Sequence, residues 1–450
     1  MNKKQFGKRE WLVLVLFGLV GQIAWSVENM YFNLFVFETV APSLSTVTLM
    51  VQLSGIVATL TTLVAGTLSD KIGNRRSFIS WGYAIWGVTV ALFGFLSPDL
   101  IEKLLSCGFD KAVMITLVAV VVADCVMTLF GSTANDACFN AWVTDNTESS
   151  FRGKVEGILS ILPLAAMLIV AGGFGIIVEM IGYSMMFLCL GVVISICGIC
   201  GIIKLKDSPT LHRSGDFGDI FYGFKPSVIK GNSPLYLTLC LVLVYGIACQ
   251  IFMPYLIIYM KTFLGFSVVE YSVVFGAAII FGAAVNLYLT RLSDRKNKNT
   301  MLYFAAAVFA AGLFGMYFAK GMSKLLCLVT FGIAGFVMIT GYILISALCG
   351  SLVRDYTPEG EVGKLQGVRM VFSVLIPMIV GPMIGNGINA KMNIPLSDMG
   401  SADVMTTQYI PAPEIFLAGA VFSLLMFALI PILVKISKNK RKISNAENKI

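Results

Sequence analysis

Four polar residues, Asp124, Asn135, Asp136 and Asn140, stand in or just after the apolar run 112–131. A second apolar run near the N-terminus carries Gln22, Trp25, Glu28, Asn29 and Asn33. On a helix, Asp124, Thr128, Gly131, Asn135 and Trp142 share roughly one face, with Ser132, Asp136 and Asn140 on an adjacent one. A carboxylate within a bilayer costs several kcal/mol unless it is paired, protonated or wetted, so Glu28 and Asp124 mark function by default. Carboxylates beside amides and an indole suit three kinds of ligand. Hydroxyl-rich solutes offer OH groups to the acids and a ring face to the indole. Organic cations gain charge and cation–π contact. Protons are a third choice for buried acids. Gln250 and Tyr245 on segment seven and Tyr342 on segment ten are candidates for an opposite wall.

The elements that hold these groups must lie in lipid. Hydrophobic residues form 57% of the 450-residue chain and charged residues 13%, with a mean hydropathy of +0.85; a soluble domain carries about twice that charged share. Twelve segments of near 20 apolar residues are expected at 11–35, 46–69, 77–97, 112–142, 155–179, 183–203, 233–260, 269–290, 300–319, 323–350, 366–388 and 412–436. The first shows no cleavage pattern and reads as a span, not a signal peptide. Placing the N-terminus in the cytoplasm puts 26 of the 33 Lys and Arg on that side and 6 on the other, with Arg369 inside segment eleven. That asymmetry predicts cytoplasmic termini. The net charge of +8 and the basic tail then reflect topology and anionic lipid, not nucleic acid. Cys197 and Cys200, a C-x-x-C inside one span, read as small packing residues, and the single histidine, His212, falls in a polar linker. No metal-ligand set, nucleophile–base pair or phosphate-binding loop is evident, which argues against an enzyme, a resident cofactor or an ATP-driven pump.

The chain also repeats itself. "LSDK" at 68–71 returns as "LSDR" at 292–295, and "DNTESSFRGKVEG" at 145–157 aligns with "DYTPEGEVGKLQG" at 355–367. The offsets are 224 and 210 residues; the long loop 98–111, nearly absent from the second half, accounts for the difference. The expected organisation is a six-helix half at 1–203, a cytoplasmic linker at 204–232, a second half at 233–437 and a basic tail at 438–450. Parallel halves that rock about a central site are a transporter design.

"GTLSDKIGNRR" at 66–76 resembles the loop signature between helices 2 and 3 of the major facilitator superfamily, matching at Gly66, Leu68, Asp70, Lys71, Gly73, Arg75 and Arg76. A weaker copy at 290–296 has Thr290 in place of the first glycine. The resemblance covers essentially the whole chain. It implies an all-α fold of twelve transmembrane helices in two pseudo-symmetric halves, working by alternating access. Asp70, Lys71, Arg75, Arg76, Asp145, Arg152, Asp294, Arg295 and Asp355 would then latch the cytoplasmic side, and Gly73 would allow a tight turn.

Within that superfamily, "NDACFNAWVTD" with the following loop and "RGK" resembles the glycoside–pentoside–hexuronide:cation symporter branch. There, acidic residues on helices 1 and 4 bind the sugar; here those acids are Glu28 and Asp124. The resemblance implies Trp25, Glu28, Asn29, Asp124, Asn135 and Gln250 as substrate-binding residues and Glu28 and Asp124 as cation-coupling residues. Segment two departs from the sodium-coupled pattern of paired aspartates, offering only Gln52, Ser54, Thr59, Thr61 and Thr62. H+ is therefore the expected coupling ion ahead of Na+. Arg369 is either a counter-ion or an interfacial anchor. The expected protein is a multi-pass transporter of the cytoplasmic membrane, by family default a monomer, taking up a sugar or glycoside-like solute. Proton-coupled efflux of drug-like organic compounds is the alternative. It is weakened because "IVAGGFG" at 169–175 lacks the proline of the antiporter signature, although "GPMIG" occurs at 381–385.

Overall fold

A computed structural model describes residues 7–147, 152–208, 217–295, 298–358, 362–396 and 409–447. Among the described residues, ten helices are long and apolar enough to cross a membrane. One of them, Gly157–Lys204, has 48 residues, about 72 Å if straight and more than twice a ~30 Å hydrocarbon core. It breaks at Gly182, where φ 77° and ψ 167° leave the helical region, and so supplies two spans. Arg75–Phe93 is a further span, bent through 86° into the short helix Pro98–Leu105.

Twelve spans result: α1 Lys8–Val40, α2 Leu44–Ile72, α3 Arg75–Phe93, α4 Phe109–Asn146, α5 157–181, α6 183–204, α7 Ser233–Thr262, α8 Val268–Arg295, α9 Lys298–Phe318, α10 Lys324–Tyr356, α11 Leu365–Met392 and α12 Glu414–Ser437. Twelve crossings return the C-terminus to the face that holds the N-terminus, here termed the terminus end; the other is the far end. α4, at 38 residues, is about 57 Å long, longer than a ~30 Å hydrocarbon core.

The stretch 98–111, expected as a plain loop, instead contains a helix. Ser97 caps it by accepting from Leu100 N at 3.2 Å, and Pro98 occupies its first turn, the preferred start for a helix. Ile101 is buried beneath it while Leu100, Leu104 and Leu105 are exposed, which suits an interfacial helix. The linker is also partly helical, at Phe217–Phe224 and Pro226–Gly231. It packs Val228 into an apolar cluster with Leu235, Leu239, Val353, Leu365 and Val368.

Small residues set the closest helix contacts, since lipid leaves van der Waals packing as the main attraction between spans. On α6, Gly198 meets the α3 backbone, and Ser195 Oγ donates to Ala84 O at 3.0 Å. Leu60, Trp81 and Val118 are all exposed, as expected where side chains face acyl tails.

Four of the spans contain π-helical turns, and α7 takes a 3-10 turn at Met253–Tyr255. π-helical turns occur at Glu28–Phe32 and Val36–Val40 in α1, Ser132–Phe139 in α4, Val170–Phe174 in α5 and Val371–Leu375 in α11. Such turns cluster at functional sites, and two of these begin at or just after the polar residues under study.

Candidate functional site

α1, α2 and α4 meet near mid-membrane. Glu28 lies 12 residues before the far end of α1 and Asp124 15 residues after the far end of α4, depths of about 18 and 22 Å. Asp124 Oδ2 accepts a hydrogen bond from Ser54 of α2. Ser54 Oγ lies 3.2 Å from Thr128 Oγ1, and Thr128 Oγ1 is 3.2 Å from Glu28 Oε1 as donor. All four residues are more than nine-tenths buried. Glu28 Oε2 and Asp124 Oδ1 are buried with no hydrogen-bond partner, and neither carboxyl forms an ion pair among the described residues. Two acids thus share one uncompensated polar cluster, a costly arrangement for a membrane interior unless a proton or ligand is taken up.

Two indoles lie against Gly131, one turn of α4 beyond Thr128. Trp25 of α1 and Trp86 of α3 lie 5.0 Å apart between ring centroids. They meet over Gly131, where a Cβ would come within 2.8 Å of Trp86 and 3.0 Å of Trp25. Trp86 is fully buried and Trp25 half-buried. Trp25 Nε1 has no hydrogen bond of normal geometry but lies in reach of the Asp136 carboxyl, which accepts from Ser132 at 3.2 Å.

The other expected site residues separate into different settings. Asn135 Nδ2 donates to Tyr83 Oη at 2.6 Å, and Tyr83 donates on to Phe17 O at 2.7 Å. This chain ties α4 to α3 and α1, passing over Gly21 where a side chain would collide with both polar groups. Asn29 is exposed and donates to Trp25 O in its own helix. Gln250, half-buried on α7, packs against Gly381 of α11. Tyr245 and Tyr342 form a ring pair 5.5 Å apart, with Tyr245 donating to Tyr342 O at 3.1 Å. Glu28 and Asp124 are therefore brought together, while Asn29, Asn135 and Gln250 show no hydrogen bond to either.

At the terminus end, Gly73 closes α2 at φ 71°, a left-handed position that favours glycine. The buried Arg75 guanidinium donates to Asp70 and to Ser69, and its Nε to Asp145 Oδ2 at 3.2 Å. Asp207 Oδ1 accepts the backbone N–H groups of Arg75 and Arg76 at 3.1 and 2.9 Å, and the Arg76 guanidinium donates to Ile202 O. Lys71 and Arg369 are exposed. Asp355 of α10 accepts from Lys298 of α9 at 2.6 Å. Arg152, Asp294 and Arg295 have side chains outside the described residues. These ties stay within the first six or the last six helices.

Several polar contacts between the two sets lie at the far end, while nearer the terminus end α2 and α11 also approach, a Cβ at Gly367 falling 3.3 Å from Leu63. Lys261 of α7 pairs with Glu38 of α1 at 2.5 Å, and Tyr183 of α6 donates to the same carboxylate at 2.7 Å. Tyr255 of α7 lies 2.7 Å from Thr48 Oγ1 of α2 and 3.0 Å from Pro382 O of α11. Ser45, Asn386 and Tyr409 close a third contact at 3.0–3.4 Å. None of these was among the expected latches, although Glu38 and Lys261, as lone charges near helix ends, were visible in the sequence. With side chains 23% and 36% exposed, the ion pair contributes at most about 1 kcal/mol. Lys261→Ala is therefore expected to raise far-end opening up to roughly fivefold, read as faster thiol labelling of a Thr48→Cys reporter, a position buried while the end is closed; unchanged labelling would dissociate this pair from closure.

Residues 13–382 match the family model described as Major Facilitator Superfamily. This chain belongs to that superfamily. No curated protein sequence matches it. Among solved structures, the nucleoside transporter NupG is 13% identical with a TM-score of 0.63, covering 94% of this chain and 98% of its own. A bacterial homologue of the human lysosomal transporter Spinster, inward-facing and unoccupied, is 14% identical with a TM-score of 0.66, covering 96% and 98%. A bacterial metal transporter is 13% identical with a TM-score of 0.57, covering 96% and 100%. These likenesses carry the facilitator fold, and with the family they make this chain a membrane transporter of a small-molecule substrate, not an enzyme.

Proposed function

We propose that this facilitator moves a hydroxyl-rich solute, a sugar or glycoside, together with H+ by alternating access. The observation that carries the reading is the buried Glu28–Asp124 cluster, which has no cationic partner among the described residues and an unsatisfied oxygen on each acid. A proton on the pair leaves one buried charge where two would stand, which lowers the cost in the membrane, and the remaining carboxylate oxygens accept solute hydroxyls. The half-buried Trp25 ring supplies a stacking face. α2 has no second carboxylate to build a sodium site, so H+ is favoured over Na+. Units 1–203 and 233–437, joined by 204–232, would rock about this cluster, with the 438–450 tail and both termini in the cytoplasm and the protein a monomer of the cell membrane. The far-end contacts then correspond to a state closed outward, and Arg75 with its acids belongs to the latch that forms in the opposite state.

An indole beside a carboxylate also suits an organic cation, so efflux of such a compound is the second reading. The two separate in right-side-out and inside-out vesicles given labelled glucosides, galactosides, pentoses, hexuronates, nucleosides and two cationic dyes. An inward H+ gradient is expected to concentrate one of the glycosidic solutes. Asp124→Asn should reduce that to equilibration with the external concentration. Dye extrusion without any sugar or nucleoside signal would overturn the symport reading.

A further inference from the structure

The two carboxylates are joined by an unbroken path of oxygens that crosses three helices: Glu28 of α1, Thr128 of α4, Ser54 of α2 and Asp124 of α4. The path has three oxygen–oxygen contacts, but its two hydroxyls own only two hydrogens, each able to donate once. If both hydroxyls donate outward to ionised carboxylates, the Ser54–Thr128 contact is left without a hydrogen. A third hydrogen from one carboxylic acid completes all three bonds. Two such arrangements exist. In one, Asp124 donates to Ser54, Ser54 to Thr128, and Thr128 to an ionised Glu28. In the other every donation is reversed and Asp124 is the ionised group.

We infer that Ser54 and Thr128 are relay residues that make Glu28 and Asp124 a single site holding one shared proton, passed between α1 and α4. The transfer balances without any further reactant. The Asp124 Oδ2–H bond breaks as Ser54 gains that hydrogen; Ser54 passes its own to Thr128, and Thr128 passes its own to Glu28 Oε1. One O–H bond forms for each that breaks, and the net result is a proton moved from one acid to the other. Fully bonded chains of this kind reinforce each other in a low-dielectric interior. The 3.2 Å spacings on either side of Thr128 are longer than the usual limit of about 3.0 Å for O–H···O bonds. A shift of a few tenths of an ångström between α1, α2 and α4, within the first half, therefore makes or breaks the relay. Glu28 Oε2 and Asp124 Oδ1, the unpartnered outer oxygens, are the ends at which a proton or solute hydroxyl joins. The other titratable groups facing the pair are Asp136, which acts on Glu28, and the Cys125 thiol, which both acids act on.

This deepens the coupling role proposed above and rests on that role only for its consequence in transport, namely one H+ per turnover from two acids. The test needs no solute. Infrared spectra of the whole protein in lipid nanodiscs, titrated with acid and alkali, report protonated carboxyl groups by their C=O stretch. The expected result is one band whose frequency moves with either Glu28→Gln or Asp124→Asn. Ser54→Ala and Thr128→Val, which cut the path, should move it or split it, while Thr128→Ser, which keeps the hydroxyl, should leave it in place. Two bands in the wild type, each answering to one acid substitution alone, would overturn the relay. So would a band indifferent to Thr128→Val. A shared band in a protein whose solute uptake ignores the H+ gradient would leave the relay standing and instead remove the symport reading.

Discussion

Gly198→Val should be among the most damaging single substitutions in the first six helices. A Cβ at this position of α6 would meet Ala84 N and sit 2.6 Å from Ser80 O, both on the α3 backbone. Gly87 of α3 makes the reciprocal approach to Gly191 and Ser195, so the helices cannot part locally without losing contact along their length. Overpacking typically costs about 1–3 kcal/mol, and an obstacle made of backbone places this change at or above that upper end. The measurement is the melting temperature of purified protein in detergent, with Gly157→Ala as control. Nothing lies within 4 Å of a Cβ at Gly157, so alanine there should be neutral or stabilising by up to ~1 kcal/mol. Equal melting of Gly198→Val and wild type would mean that α3 and α6 do not pack this closely.

Arg75→Met is expected to be the most damaging change at the terminus end. The guanidinium, 6% exposed, serves Asp70 and Asp145 together, and its loss strands two carboxylates, while the Ser69 hydroxyl keeps its bond to Gly66 O at 2.9 Å. Breaking a fully buried pair costs about 3–5 kcal/mol. Asp70 and Asp145 are 37% and 25% exposed and retain some water, so about 2–3 kcal/mol is the better expectation. Arg75→Lys should recover little, because one ammonium cannot reproduce a fork that donates in three directions. Asp70→Asn with Asp145→Asn in the Arg75→Met background should recover more, by removing the stranded charges. If lysine restores wild-type melting, the site needs only a positive charge and the geometric account fails.

How much of this was legible follows from which interactions are local. The spans could be located from runs of apolar residues alone, and even the boundary of α5 and α6 fell at Gly182 without any polar loop to mark it. The helix after Ser97 was also written locally, in a Ser-Pro start, but a loop reading of 98–111 passed over it. Arg75 stood out through its motif and Asp145 through the repeat at 145–157, whereas their pairing, and the arrival of Asp207 from beyond α6, are disclosed by no spacing. Ser54 was visible only as one of several neutral polar residues on α2; its place between two acids depends on three helices meeting. Asn135 shared a face with Asp124 in the sequence, yet Tyr83 engages its amide, a contact that depends on α3.

The π-helical stretch of α4 bears on the puzzle of four polar residues in one span. On an unbroken α-helix Asp136, twelve residues beyond Asp124, would point about 120° away from it. A π turn takes in about one residue more than an α turn, so each residue within Ser132–Phe139 advances less around the axis. Asp136 is the fifth residue of that stretch, so the lag at its position comes to roughly a quarter of a turn. The winding therefore carries Asp136 back toward the Asp124 side, close enough to act on Glu28. A carboxylate that strict α-helical phase would aim elsewhere becomes a neighbour of the shared pair, and the width of the polar face of α4 is set by helical pitch as much as by composition.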